Sequence, residues 1–168
     1  MMHLSPDVRP RSTSALHAFR EAAMAANPGL HLDDGNCEVR WIGLDAQSTL
    51  QIFELIRIGD KRGTFTLPWL VERTSRRRPA AGNYIVLIDM DGTPTLLLRV
   101  TEVREALFGQ VTAADTEVDG SPVRDPAVWI PLHTQYWNAL LEPFGLSVSP
   151  DMPFWIEPFE LVYDASRS

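Results

Sequence analysis

The sequence predicts an α+β fold on three observations. "YIVLIDMDGTPTLLLRV" holds two apolar runs around Asp91-Gly92, a dipeptide that favours hairpin turns. From Asp125 onward, Trp129, Leu132, His133, Tyr136, Trp137, Leu140, Leu141 and Phe144 recur at spacings of three and four, which is helical periodicity. The elements also run helix, strand, helix, several strands, helix, strand, without the regular alternation of a parallel doubly wound sheet.

Each element has its own signal. "SALHAFREAAMAA" reads as a helix with Leu16, Phe19 and Ala23 on one face, a cap among Ser12, Thr13 and Ser14, and a stop at Asn27-Pro28-Gly29. "CEVRWIG" alternates as a strand, with Cys37, Val39 and Trp41 on one side. "DAQSTLQIFELIRIG" is a second helix, and Gly59 stands where a C-terminal stop belongs. "GTFTLPWLV" is expected to be extended, since Thr64, Phe65, Thr66 and Trp69 favour strands and Pro68 excludes a helix interior. "RTSRRRPAAGN" is a loop, the hairpin follows, and its second strand is expected to continue through Thr101 to Val103. "GQVTAADTEVDGSPVRD" is polar and turn-rich. Asp125 as cap and Pro126 at the first helical position open the third helix, which Gly145 stops. "FWIEPFELVY" is a strand, and Pro158 assigns it to a sheet edge or a bulge. No linker divides the chain. Residues 1–13 read as a polar tail and 14–164 as one domain.

Composition bounds the function. The 168 residues are 45% hydrophobic and 22% charged, ordinary for a globular protein. No apolar run approaches the roughly 18 residues that cross a membrane, and the N-terminus lacks an apolar signal core, so the cytoplasm is the expected location. The single cysteine, Cys37, excludes an internal disulfide and a cysteine-based zinc site, and its strand position predicts a buried, inert thiol. A net charge of −7 argues against non-specific wrapping of nucleic acid. Between Arg57 and Arg78, however, seven cations face two carboxylates, a local surplus of +5 that leaves −12 on the rest. One basic segment on an acidic body suits a local site for an anionic ligand; a solvated basic loop suits it equally.

Familiar motifs are absent. The sequence has no GxGxxG, P-loop, HExxH or GxSxG, and the four histidines lack metal-ligand spacing. No cofactor or metal is expected, and nothing signals an oligomeric state. Of the five tryptophans, Trp129 and Trp137 belong to a core by periodicity, while Trp41 and Trp69 remain free to stack on a ligand.

What remains is "GDKRGTFTLPW", where Lys61 and Thr64 flank Arg62-Gly63 at a helix end. A lysine amine can take the proton of a threonine hydroxyl and make it a nucleophile. Gly63 permits close approach, and Arg62 can grip a carboxylate, phosphate or carbonyl oxygen. Asp115, Glu117, Asp119 and Asp125 offer an acid. From the residues alone, a helix-to-strand corner explains the pair equally well.

The ordered set of Gly59, Lys61, Thr64, Trp69, Asp91-Gly92 with Pro94, Phe108 with Val111-Thr112, and Trp129 with His133 resembles the ASCH domain, in its longer bacterial branch. The resemblance covers about Ser14 to Tyr163. It implies a PUA-like small β-barrel with flanking helices and a cleft lined by the G-x-K segment. It further implies a nucleoside, nucleotide or short single-stranded RNA as partner. Three activities are open by resemblance: hydrolysis of an acetylated cytidine-like amide, ribonuclease action, or non-catalytic RNA binding. In the amidohydrolases the working residues are a Lys, a Thr three later and a Glu in the following polar loop. These fall on Lys61, Thr64 and Asp119, the last an aspartate here, while Arg62-Gly63 replaces the usual Thr-Ala. Trp41, Arg62, Gly63, Thr66, Trp69, Arg76, Arg77 and His133 are the expected substrate-binding residues.

Overall fold

The computed structural model describes residues 8–167. Along the chain run α1 (Thr13–Ala26), β1 (Cys37–Arg40), α2 (Ala46–Arg57), β2 (Gly63–Thr66), α3 (Pro68–Val71), β3 (Tyr84–Ile88), β4 (Pro94–Val100), β5 (Arg104–Leu107), α4 (Ala113–Thr116), α5 (Pro126–Leu141) and β6 (Pro153–Asp164). The six strands form one curled sheet in the order β1-β3-β4-β6-β2, with β5 also paired to β6, and the helices flank this half-barrel. The α+β class is as expected.

The longest strand, β6, makes the curl. Its C-terminal half pairs with β4 from Val100↔Phe159 to Leu96↔Asp164. Its N-terminal half lies between β2 and β5, with Thr66↔Trp155 on one side and Glu105↔Trp155 on the other. This corrects the edge-strand expectation for "FWIEPFELVY". Pro158 is tolerated in a central strand because it falls where β6 changes partners. Opposite β2 it forms a pair with Gly63 in which the neighbouring Phe159 N–H donates to the Arg62 carbonyl, so the missing proline N–H is not needed on that side. The expected bulge does occur in β6, but at Val162, which is left over between the pairs Leu97↔Tyr163 and Leu98↔Leu161.

Three further expectations shift. The strand after the hairpin ends at Val100; residues 101–103 turn the chain, and β5 starts on the other half of β6. Pro68 does not continue a strand but opens α3 as its first residue, where its absent N–H has no helical partner to lose. The third helix ends at Leu141, and a 3₁₀ turn carries the chain to Gly145 at φ +70°. The Asp91-Gly92 hairpin stands as read. Gly92, at φ +81°, must be glycine for a second reason: a Cβ there would lie 2.2 Å from the Arg9 carbonyl, where the chain before α1 crosses the turn and Arg11 N–H donates to Gly92 O at 2.8 Å. Residues 1–7 of the expected tail lie outside the described residues.

The apolar periodicity explains the layering. β3 is apolar at every position because it is covered on both faces. Ile85 and Leu87 meet Phe53 and Ile56 of α2, while Val86 and Ile88 meet Phe19 and Ala23 of α1. Cys37 belongs to the α1 side and is 3% exposed; burial raises its thiol pKa. A third cluster joins Trp129, Trp137 and Leu141 of α5 to Phe154 and Ile156 of β6. Among the described residues no helix is long and apolar enough to cross a membrane.

Candidate functional site

Lys61 is placed by the end of α2. The N–H groups of Asp60 and Lys61 both donate to the Leu55 carbonyl, at 2.9 and 3.0 Å, so the chain turns sharply before β2. Thr64 and Thr66 then point to the same face of β2, since strand residues two apart share a face. Thr64 lies opposite Glu157 of β6. Asp119 comes from the polar loop before α5, behind the short α4.

Two links tie that loop to the Lys61 turn. Arg62 N–H donates to the Val118 carbonyl at 2.7 Å. The Asp60 carboxylate accepts from Ser121 N–H at 2.8 Å and pairs with the Arg124 guanidinium. Those contacts, the Ser121 N–H first, hold the Asp60 pKa below its ordinary value. Held this way, Asp119 reaches Lys61: Oδ1 accepts from Nζ at 2.8 Å and from Gly120 N–H at 2.9 Å. The shorter side chain of aspartate is long enough. Both residues are buried, Lys61 at 6% and Asp119 at 7% exposure.

The other acids of the loop are used elsewhere. Asp115 accepts from Thr112 and from Arg104, capping α4. Asp125 accepts from Ala127 N–H as the cap of α5. Glu117 is exposed. Asp119 is therefore the loop carboxylate that joins the site.

Lys61, Thr64 and Asp119 line one cavity of about 120 Å³ together with Arg40, Thr66 and Arg76 and the rings of Trp41, Phe65, His133 and Tyr136. Its floor is a buried charge network. Glu157, 0% exposed, accepts from Arg40 Nη1 at 3.1 Å and Nη2 at 2.8 Å, and from the Thr66 hydroxyl. Arg40 also donates to Glu38 at 3.1 Å. Arg76 stands at the mouth, 39% exposed and 4.0 Å from Glu38.

His133 stacks on Trp129 with ring centroids 4.0 Å apart. Its Nδ1 lies 2.9 Å from the Trp129 carbonyl, which only accepts, so Nδ1 carries the proton. Burial lowers the imidazole pKa from 6.5 to about 4, against the raising influence of that carbonyl and of Asp119. A neutral ring protonated at Nδ1 presents Nε2 as an acceptor.

The remaining expected residues lie in other places. Trp41 borders the cavity and donates from Nε1 to Thr49 at 3.0 Å. Arg62 is exposed and Trp69 packs on the α5 core; neither lines the cavity. Gly63 serves packing rather than ligand approach, because a Cβ there would lie 2.6 Å from Val118 Cγ2. Arg77 donates to the Asp34 carbonyl, away from Lys61. Arg40, Glu157 and Tyr136 were missed. Glu157 alone had a legible signal, a carboxylate in a mostly apolar strand that needs a buried partner, though nothing local named Arg40 as that partner.

On the far side of Lys61 and Asp119 a second cavity of about 310 Å³ opens. It shares Ile42, Lys61, Asp119, His133 and Tyr136 with the first and is otherwise walled mainly by aliphatic side chains. Among the described residues no group of three or more His, Cys, Asp or Glu side chains is arranged to hold a metal.

Solved structures share this fold, the following two among them. The ASCH domain of Lactobacillus crispatus JV V101 superposes with a TM-score of 0.76 at 19% identity, over 89% of this chain and 95% of that one. A protein of Enterococcus faecalis V583 superposes with a TM-score of 0.76 at 19% identity, over 90% of each chain. At such identity the likeness carries the fold, and it agrees with the PUA-like architecture expected from the sequence. No curated protein matches in sequence. The model of the ASCH domain matches residues 40–163, from the arginine on the cavity floor to the end of β6, and the chain belongs to the ASCH domain family.

Proposed function

We propose that the cleft binds a nucleoside or nucleotide unit, free or within a short RNA, and hydrolyses an amide on it, as in an acetylated cytidine. The observation that carries this reading is the 2.8 Å contact of Lys61 Nζ with Asp119 Oδ1 in the cavity that Thr64 also lines. The cavity pairs ring faces for a base with donors and acceptors for its edge. Asp119 takes a proton from Lys61. The free amine then removes the Thr64 hydroxyl proton as Oγ attacks the amide carbonyl. The C–N bond breaks, Asp119 protonates the departing nitrogen, and an acyl ester remains on Thr64. A water molecule, deprotonated by the same pair, releases the acid and restores the hydroxyl.

The test is hydrolysis of N4-acetylcytidine by purified protein. Thr64→Val and Lys61→Met should lower kcat/KM by at least about 100-fold, the range of a general base or nucleophile, with circular dichroism unchanged. Full activity in Thr64→Val would remove the nucleophile assignment.

A second reading, a non-catalytic RNA-binding module, is favoured by the basic loop, in which Arg76 lines the cavity and Arg78 lies over the Trp155 ring at 5.3 Å. It predicts salt-dependent binding of a short single-stranded RNA, weakened when Arg76, Arg77 and Arg78 are changed to Gln. Cleavage of that RNA, lost with Lys61→Met but kept in Thr64→Val, would instead mark a ribonuclease.

A further inference from the structure

Lys61 and Asp119 stand in the wall between two cavities of different character. Stacking rings and charged hydrogen-bonding groups crowd the smaller one. The larger, of about 310 Å³, is walled mainly by Ile42, Leu44, Ile52, Leu55, Val123 and Leu132, with Ser48, Gln51 and Ser121 among them. A single methyl group fills little of such a space and leaves most of its apolar wall wet. Leu44 and Leu132 remain 59% and 37% exposed on its rim, surface that an apolar occupant would remove from water.

Resting on the amide-hydrolysis reading, we infer that the aliphatic cavity is an acyl subsite. The preferred substrates then carry a medium-length aliphatic or an aromatic acyl group on the nucleobase nitrogen, rather than acetyl. The division of polar from apolar lining falls at Lys61, Asp119 and His133. A bound N-acyl nucleoside would therefore have its own polar-to-apolar junction, the amide bond, at the reacting groups. The bonds formed and broken are those given above, and the released acid keeps the apolar chain.

The experiment compares N4-acetyl-, N4-hexanoyl- and N4-benzoylcytidine. Wild-type kcat/KM should rise by about tenfold or more from acetyl to hexanoyl, since each buried methylene adds to binding in an apolar pocket. Leu132→Trp and Leu44→Trp, both at exposed positions that tolerate a larger side chain, fill the cavity and should shrink the hexanoyl-to-acetyl ratio. An acetyl preference in wild type, or a ratio untouched by both substitutions, overturns the acyl subsite while leaving the hydrolase reading standing. If wild type hydrolyses none of the three, the hydrolase reading fails, and calorimetric binding to Thr64→Ala decides the subsite. Tighter binding of hexanoyl- than acetylcytidine, lost in Leu132→Trp, supports it; equal or absent binding overturns it.

Discussion

Lys61 Nζ lies 2.8 Å from Asp119 Oδ1, with the two side chains 7% and 10% exposed. A pair this buried is costly to assemble and costlier to break, because removing one partner strands the other charge away from water. Asp119→Ala should therefore destabilise the protein by about 3 kcal/mol. The double variant Lys61→Met with Asp119→Ala should lose less than the single change, since no charge is stranded. Urea denaturation of wild type and the three variants measures the coupling. Additive losses would show that the contact is not a coupled pair.

Glu157 sits at 0% exposure with two bonds from Arg40, whereas Glu38, the second carboxylate on that guanidinium, keeps 18% of its side-chain surface. Their removal should rank accordingly. Glu157→Gln is expected to cost about 3 kcal/mol and Glu38→Gln under about 1 kcal/mol, because solvent replaces only the outer contact. Thermal unfolding of the two variants gives the order. A reversed order would mean that Arg40 is held by Glu38 and that Glu157 is secondary.

That network also marks where sequence reading stopped. The hairpin and the three long helices were legible because each has a local pattern; that Lys61, Thr64 and Asp119 would share a cavity came from the family resemblance and not from their spacing. Arg40 and Glu157 are 117 residues apart and meet only because β6 curls past β2. No window of the chain contains both. Of the two readings of Pro158, an edge or a bulge, the strand carries a bulge, at Val162, while the proline itself falls at the residue where β6 changes partners. Arg62 was given a ligand role as the neighbour of Lys61, and Trp69 as a tryptophan outside the periodic core pattern. Neighbours in a strand face opposite ways, and the helical turn begun by Pro68 carries Trp69 off the site.

Gly63 faces Val118 across the link that holds the Asp119 loop. A Cβ at residue 63 would come within 2.6 Å of Val118 Cγ2 and 2.7 Å of its Cβ, closer than van der Waals contact allows. Gly63→Ala should cost about 2 kcal/mol through this overpacking. Val118→Ala removes the Cγ2 collision but keeps the Cβ, so the double variant should recover only part of the loss relative to Gly63→Ala. Chemical denaturation gives the comparison. A glycine kept for ligand approach alone would show no stability loss and no rescue.

His133 supplies the pH dependence of the site. Its imidazole is held at about 4 in the folded protein, chiefly by burial, against 6.5 in the unfolded chain. The unfolded state therefore binds the proton more readily between those values, and stability falls as the solution is acidified from pH 7 toward 4. Integrated over that window, this one residue accounts for a loss of up to about 3 kcal/mol. His133→Phe cannot titrate, so its stability should decline less over the same interval, whatever its stability at pH 7. Urea midpoints at pH 7, 5.5 and 4.5 separate the two curves. Below about pH 4 both proteins should weaken together, as Asp115 and Asp164, whose pKa values their arginine and main-chain partners hold low against the opposing effect of burial, begin to take up protons. Parallel curves between pH 7 and 4.5 would show that His133 is free to protonate in the folded state, and Nε2 would then not be a fixed acceptor in the cavity.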